Sequence, residues 1–266
     1  MNSEPLPTLG TKLLDNIRRN PDAMAIESHG QQYSWRFVES VVENLAQTLD
    51  TLGVKPEERV GFIAHTRATH IAALWGLLIT DRCPSMIYGY QSADKLAEDI
   101  RSLRYPLIIA DEADWTPVTI EAASTAGSAG VSLSSKGISL VRGLESVGAH
   151  ATRNRVTGAA VETLSSGTTG APKRILISKQ NLESSALAAA ASIEQMSQGS
   201  GARSPLIVVL PLANISGVYA TVPAGATGHP ISLLEKFNVD DWLTLVRQYR
   251  PATADVPPSA LAMLVK

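Results

Sequence analysis

Only one cysteine, Cys83, occurs in the 266 residues. That excludes an intramolecular disulfide and a cysteine-rich zinc site, and it fits a reducing, cytoplasmic setting. Positive charge is not in excess either: 23 Lys and Arg stand against 25 Asp and Glu, a net charge of −2. The electrostatic footprint of a nucleic-acid-binding chain is therefore missing. Long apolar runs are lacking as well. The stretch Leu206 to Leu210 is broken by Pro211, well short of the ~20 residues a membrane-spanning helix needs. Met1 to Pro7 lacks the basic-then-apolar layout of a signal peptide. The histidines His29, His65, His70, His150 and His229 show neither metal-ligand spacing nor an accompanying carboxylate pattern. No G-x-S-x-G elbow is present, and Ser165 and Ser166 have no identifiable partner histidine, which argues against a hydrolase. No repeat of fixed period appears.

What the chain does have is one dense chemical signal, Ser165-Ser-Gly-Thr-Thr-Gly-Ala-Pro-Lys173. Gly167 and Gly170 permit backbone geometries that turn N–H groups inward. Ser165, Ser166, Thr168 and Thr169 add hydroxyl donors, Lys173 adds a cation, and no acidic side chain interrupts. These are the residue types that cradle a polyphosphate. The Walker pattern does not fit, because two residues separate the glycines and Arg174 follows the lysine where a magnesium-binding hydroxyl belongs. Arg174 is thus a second cation, able to bind phosphate or to face solvent.

Around this loop the pattern predicts a mixed α/β chain. A helix over 12–19 and a hairpin of strands 24–28 and 31–33 about His29-Gly30 come first. Ser34 caps a helix with Trp35, Val38, Val41, Val42, Leu45, Leu49 and Leu52 on one face. Strands at 59–64, 85–88 and 106–110 alternate with helices at 66–79 and 92–103, the rhythm of βαβ crossovers in a parallel sheet. The Ala-, Ser- and Gly-rich stretch 122–160 reads as an irregular connector with one strand at 137–141. Strands 161–164 and 174–177 flank the loop, Ser178 caps a helix over 179–196, and 198–202 is a turn. Beyond it come a strand at 206–210, a turn at 211–217, a helix interrupted near Pro223, a strand at 230–234, a helix capped by Asn238, a strand at 252–256 and a last helix opening at Pro257.

The loop resembles the phosphate loop of the adenylate-forming (AMP-binding) superfamily of acyl-CoA synthetases and adenylation domains. Ser178-x-x-Asn181-Leu182, the Pro211-Leu212-x-x-x-x-Gly217 turn and Phe237 through Val256-Pro-Pro258 extend the resemblance over essentially the whole chain. It implies two stacked α/β subdomains, 56–200 carrying the loop and 1–55 with 201–266 forming an incomplete second one. The family's acidic magnesium motif, ribose-binding aspartate, hinge and C-terminal domain are not found, so the resemblance implies an N-terminal part, inactive by itself.

For the parent enzyme the resemblance implies ATP-dependent activation of a small carboxylic acid as an acyl adenylate. Thioester formation on coenzyme A, or on the phosphopantetheine of a carrier protein, would follow. Ser165, Ser166, Gly167, Thr168, Thr169, Gly170 and Lys173 would hold the phosphates, with Thr168 near Mg²⁺ and Lys173 stabilising charge in the first half reaction. Asn214 and Gly217 would line the acyl pocket. Two positions depart from the family pattern: Arg174 replaces a glycine, and Asn214 stands where many members have histidine. A non-catalytic truncated module is the alternative of a different class.

Overall fold

The computed structural model describes residues 8–165, 173–197, 204–251 and 253–264. Helix α1 (Leu9–Arg19) starts where the Thr8 hydroxyl accepts the Thr11 N–H at 3.2 Å. Strands β1 (Met24–Ser28) and β2 (Gln31–Ser34) form the expected hairpin, with His29 and Gly30 at φ 53° and 77°, the two left-handed residues that match the twist of paired strands. The Ser34 hydroxyl caps α2 (Trp35–Thr51), whose predicted apolar face is buried.

The crossover rhythm is then seen directly. It runs through β3 (Arg59–Ala64), α3 (Ala68–Ile79), β4 (Cys83–Tyr88), α4 (Ala93–Leu103), β5 (Leu107–Asp111), α5 (Pro117–Ala126) and β6 (Ala129–Ser134), with β7 (Gly137–Leu140) turning back against β6. The supposed connector therefore contains the end of a helix and two strands; only 141–158 lacks its own helix or strand. The signals were local and small. Thr116 and Thr119 form a capping box, Pro117 takes the first helical position, and Gly127 ends the helix at φ 74°. Ala122, Ala123 and Ala126 are its buried face, so the small-residue composition reflects close packing on α4.

Next come β8 (Ala159–Leu164), β9 (Arg174–Ser178) and α6 (Lys179–Ser197), in which the Ser178 hydroxyl accepts the Asn181 N–H at 3.1 Å as a cap. The described chain ends with β10 (Leu206–Val208), α7 (Ile215–Thr227), β11 (Ile231–Leu233), α8 (Val239–Tyr249) and α9 (Pro258–Leu264). Pro223 does not interrupt α7, which runs through it packed against α1, α3 and α6. Tertiary burial outweighs the lost hydrogen bond. No strand forms over 253–256: prolines 251, 257 and 258 bracket the segment, and β10, not this stretch, is the sheet edge. The turn assigned to 198–202 lies outside the described residues.

Two sheets result. Seven strands lie in the order β7-β6-β5-β3-β4-β8-β9, parallel except for the outer β7 and β9; four lie in the order β10-β11-β1-β2, with only β2 antiparallel. Segments from both ends of the chain share the smaller sheet. Helices α1, α2, α3 and α7 sit between, so Ile26 and Ile231 of one sheet and Phe62 and Met86 of the other belong to one buried core. The far face of the large sheet is covered by α4 and α5. The near-continuous apolar strands of the sequence are explained by this burial on both faces.

Candidate functional site

Strand β8 leaves the carboxyl edge of the parallel sheet and β9 returns antiparallel to it, with Leu164 opposite Arg174. One residue further out the neck of the hairpin is closed: the Ser165 N–H donates to the Lys173 carbonyl at 2.8 Å and the Lys173 N–H to the Ser165 hydroxyl at 3.3 Å. Ser166, Gly167, Thr168, Thr169 and Gly170 lie outside the described residues. Lys173 is exposed, and no described acidic side chain pairs with it. A free cation beside a hydrogen-bonded neck is a suitable place for a phosphate.

Beneath the neck is an ionic cluster that sequence reasoning missed. Glu162 is 3% exposed on β8. Its Oε2 accepts hydrogen bonds from the Ser85 hydroxyl and, at 2.7 Å, from the Tyr105 hydroxyl. Arg59 Nε stands 3.3 Å from Oε1, close enough to pair as a charge, although its N–H is not aligned for a hydrogen bond. Arg174 donates from Nη1 to the Ser85 hydroxyl at 2.8 Å and the Met86 carbonyl at 3.3 Å, and lies 3.5 Å from the Glu162 carboxylate. Of the two roles open to Arg174 in the sequence, neither is what the structure shows: the guanidinium is turned into the sheet.

Register explains the cluster. Gly61, Ser85 and Glu162 are side by side on β3, β4 and β8, and Leu176 opposes Glu162 on β9, so Arg174, two residues before Leu176, shares their face. Gly61 leaves room there, since Ile108 and Tyr105 would have to shift to admit a Cβ, which would come 2.5 Å from Ile108 Cδ1 and 3.3 Å from the Tyr105 ring. Its absence lets Tyr105 lie over the sheet and reach Glu162. Burial, reinforced by Glu162, pushes the Tyr105 hydroxyl up to about 12, so it remains a donor. Burial first and the Glu162 charge second push the Cys83 thiol up to about 12, leaving it unreactive.

A second cluster joins the two sheets at the carboxyl edge. Arg67, preceding α3, pairs with Asp111 at 2.7 Å and with Glu235, just after β11, at 2.9 Å; Tyr90 donates to Glu235 at 3.0 Å. Burial alone would lower the Arg67 pKa, but its bonds to Glu235 and Asp111 hold it above the ordinary value; burial would raise Glu235, and Arg67 holds it below. His65 Nε2 lies 2.9 Å from Asp114 Oδ2. A carboxylate partner was not legible in the sequence because 49 residues separate the two. His65 sits just past β3, not on α3, so its ring meets His70 edge-on at 5.4 Å despite their spacing. His70 is buried without a hydrogen-bond partner for either ring nitrogen and lines a cavity of about 240 Å³ with Arg67 and Asp111. Among the described residues no group of three or more His, Cys, Asp or Glu could hold a metal ion, and no helix is long and apolar enough to cross a membrane.

The Pro211 turn is held by the Asn214 N–H on the Pro211 carbonyl at 3.0 Å and the Leu212 N–H on the Thr66 hydroxyl at 3.1 Å. Gly217 serves packing: a Cβ would stand 2.2 Å from the Pro211 carbonyl oxygen. Asn214 precedes α7 without capping it through its side chain, which is exposed. Neither residue lines the 240 Å³ cavity, the 740 Å³ cavity beside Glu235 and Asn238, or the 470 Å³ cavity at the amino ends of β4 and β8.

Comparison with known proteins agrees with this geometry. The AMP-binding enzyme family matches residues 13–266, and the chain belongs to it. Phosphinothricin tripeptide synthetase PhsC of Streptomyces viridochromogenes is 27% identical over 97% of this chain, which spans 23% of that protein. In structure, o-succinylbenzoate CoA synthetase (MenE) from Bacillus subtilis, solved with its acyl-adenylate intermediate, superposes with a TM-score of 0.69 at 15% identity, covering 96% of this chain and 63% of that one. ATP-bound MatB from Rhodopseudomonas palustris gives 0.74 at 18% identity, covering 96% and 51%. The chain thus spans less than two thirds of each of these relatives.

Proposed function

We propose that this chain is the phosphate-holding part of an enzyme that uses ATP to activate a carboxylic acid as an acyl adenylate and then passes the acyl group to a thiol. The observation that carries the reading is the hydrogen-bonded neck at Ser165 and Lys173, with a lysine that no acidic side chain among the described residues pairs, in a chain of the AMP-binding family. Residues 165–170 would offer N–H and hydroxyl donors to the phosphates, and Lys173 would offset charge on the departing pyrophosphate. Magnesium, present with ATP in a MenE complex, would add Lewis-acid neutralisation there, with the Thr168 hydroxyl beside it. Asn214, exposed at the start of α7, would face the acid and could donate or accept at neutral pH without becoming cationic. Residues 56–200 would act as the subdomain carrying the loop, against a second subdomain from 1–55 and 201–266.

The thiol acceptor has two candidates. Coenzyme A follows from the structural likeness to MenE, a CoA synthetase; a carrier-protein phosphopantetheine follows from the sequence likeness to PhsC, a peptide synthetase. ATP–pyrophosphate exchange across a panel of carboxylic acids, in the protein that contains this chain, tests the first half reaction. Transfer from the formed adenylate to coenzyme A or to a carrier protein then separates the two acceptors. Absence of acid-dependent exchange across the panel would remove the reading.

A further inference from the structure

Among the described residues, strand β9 is the edge of the large sheet and is hydrogen-bonded to β8 alone. Ile175 and Leu176, its second and third residues, are 46% and 44% exposed, while Ile177 further along packs on the core, so little apolar packing fixes the end of the strand next to Lys173. Yet it follows directly on Lys173, whose ammonium must stand at one place if it is to meet a phosphate. Arg174 supplies a second attachment. Its guanidinium reaches over β8 to the Ser85 hydroxyl and the Met86 carbonyl of β4, and its charge is met by Glu162. β4 and β8 lie inside the sheet, and Ser85 is fully buried, so the anchor is rigid. A glycine at this position, as the family resemblance implies, could make none of these bonds.

We infer that Arg174 and Glu162 are positioning residues: they tie the first residue of β9 to β4 and thereby hold Lys173 at the neck in the orientation that meets a polyphosphate. The inference rests on the nucleotide reading above. A direct phosphate contact by Arg174 is disfavoured by the same geometry, since Nη1 is shared between two acceptors and the charge is already offset in the sheet. Reaching outward would forfeit both hydrogen bonds and leave the Ser85 and Met86 oxygens without that donor. Both hydrogen bonds and the ion pair come from Nη1, at the end of a side chain longer than that of lysine, which is why lysine is not an equivalent replacement.

The test measures binding of ATP and of inorganic tripolyphosphate, each with magnesium, by titration calorimetry, with unfolding midpoints recorded for every variant. Wild type and Lys173→Ala come first. If wild type holds neither probe, or Lys173→Ala holds them equally well, the nucleotide reading fails and this inference with it. If Lys173→Ala weakens binding, the positioning pair is tested separately. Arg174→Gly and Glu162→Gln are each expected to weaken both probes by about tenfold or more, since a misplacement near 1 Å can cost ~10²-fold. Arg174→Lys is expected to weaken them too. The double variant should be no worse than the worse single one, because both act through one contact. Unchanged or tighter binding in Glu162→Gln would show that a freed Arg174 binds phosphate itself, and would overturn the inference. So would lowered midpoints with unchanged affinity, which would make the pair a structural brace only. Should Glu162→Gln not fold, Ser85→Ala, which removes the shared hydroxyl, replaces it with the same expected and overturning results.

Discussion

The two buried charge clusters lie at different heights in the large sheet and are built differently: the Glu162 cluster sits at mid-strand beside Gly61 and Ser85, whereas the Arg67 cluster meets Asp111 at the carboxyl end of β5. The Glu162 cluster is laid down by strand register: residues of β3, β4, β8 and β9 face one way, with Tyr105 added over Gly61. The Arg67 cluster is gathered from the ends of β5 and β11, the start of α3 and the turn after β4, and joins the two sheets. The cations differ: Arg59 and Arg174 have side chains 22% exposed and Arg67 one 40% exposed, while Glu162 and Asp111, at 4% and 7%, are buried in both. A charge fixed in dry register is costly to leave unpaired, while one at a wet junction can be partly replaced by water. The first cluster therefore ties β9 to β4 beneath the Ser165 and Lys173 neck, and the second ties the two sheets to each other.

The sharpest way to break this contrast is Glu162→Leu, which leaves Arg59 and Arg174 without their carboxylate. Removing one partner of a buried pair costs ~3 to 5 kcal/mol, to be read from denaturant unfolding; a loss below about 1 kcal/mol would show that the cluster is hydrated and that the two regions are alike. Next is Lys173→Ala, which leaves both clusters intact. In the protein containing this chain it should slow adenylation ~10²- to 10³-fold, or about 3 to 4 kcal/mol, and thioester formation far less, because pyrophosphate has left by then. Single-turnover rates for each half reaction decide it; equal slowing would mean that the lysine supports the fold.

The pH dependence of the second cluster comes third. Burial, with His65 adding to it, lowers the His70 pKa from 6.5 to about 3. Between those values the unfolded chain binds the extra proton, so stability rises with pH through that window and the benefit is complete above about 6.5. His70 should contribute a slope of up to ~1.4 kcal/mol per pH unit. Asp111 and Glu235, held below their ordinary values, lose their contribution only further into acid. Unfolding free energies at pH about 5 to 7 should therefore be flatter in His70→Leu than in wild type; parallel curves would mean that the ring is reached by water. The smallest effect expected is Arg67→Ala, about 1 to 2 kcal/mol, because water entering the space of a partly exposed guanidinium can take over part of its pairing with Asp111 and Glu235. A loss as large as that of Glu162→Leu would remove the distinction between the two regions.

The elements with strong local signals were legible in the residues: the His29-Gly30 hairpin, the capped α2 with its apolar stripe, the βα alternation from Arg59 and the cap at Ser178. Their causes act within a few residues, through left-handed turns, hydroxyl caps and periodic burial. Weak signals were misread where packing decided. Alanines of α5 looked like a linker until α4 covered them, and Pro223 looked like a break until three helices buried α7.

For the site, the sequence by itself determined which groups residues 165–173 offer, hydroxyls, glycines and a lysine with no acidic side chain among them. It did not determine where Arg174 points. A charge in the apolar strand at Glu162 was the available clue, but its hydroxyl partners Tyr105 and Ser85 come from 57 and 77 residues away, and which side chains share a face depends on register between strands. His65 and Asp114 met for the same reason, through two strand ends brought together. Pairing across a sheet is a long-range choice made by the buried core as a whole, so only the tertiary structure could turn a second cation beside the loop into an anchor beneath it.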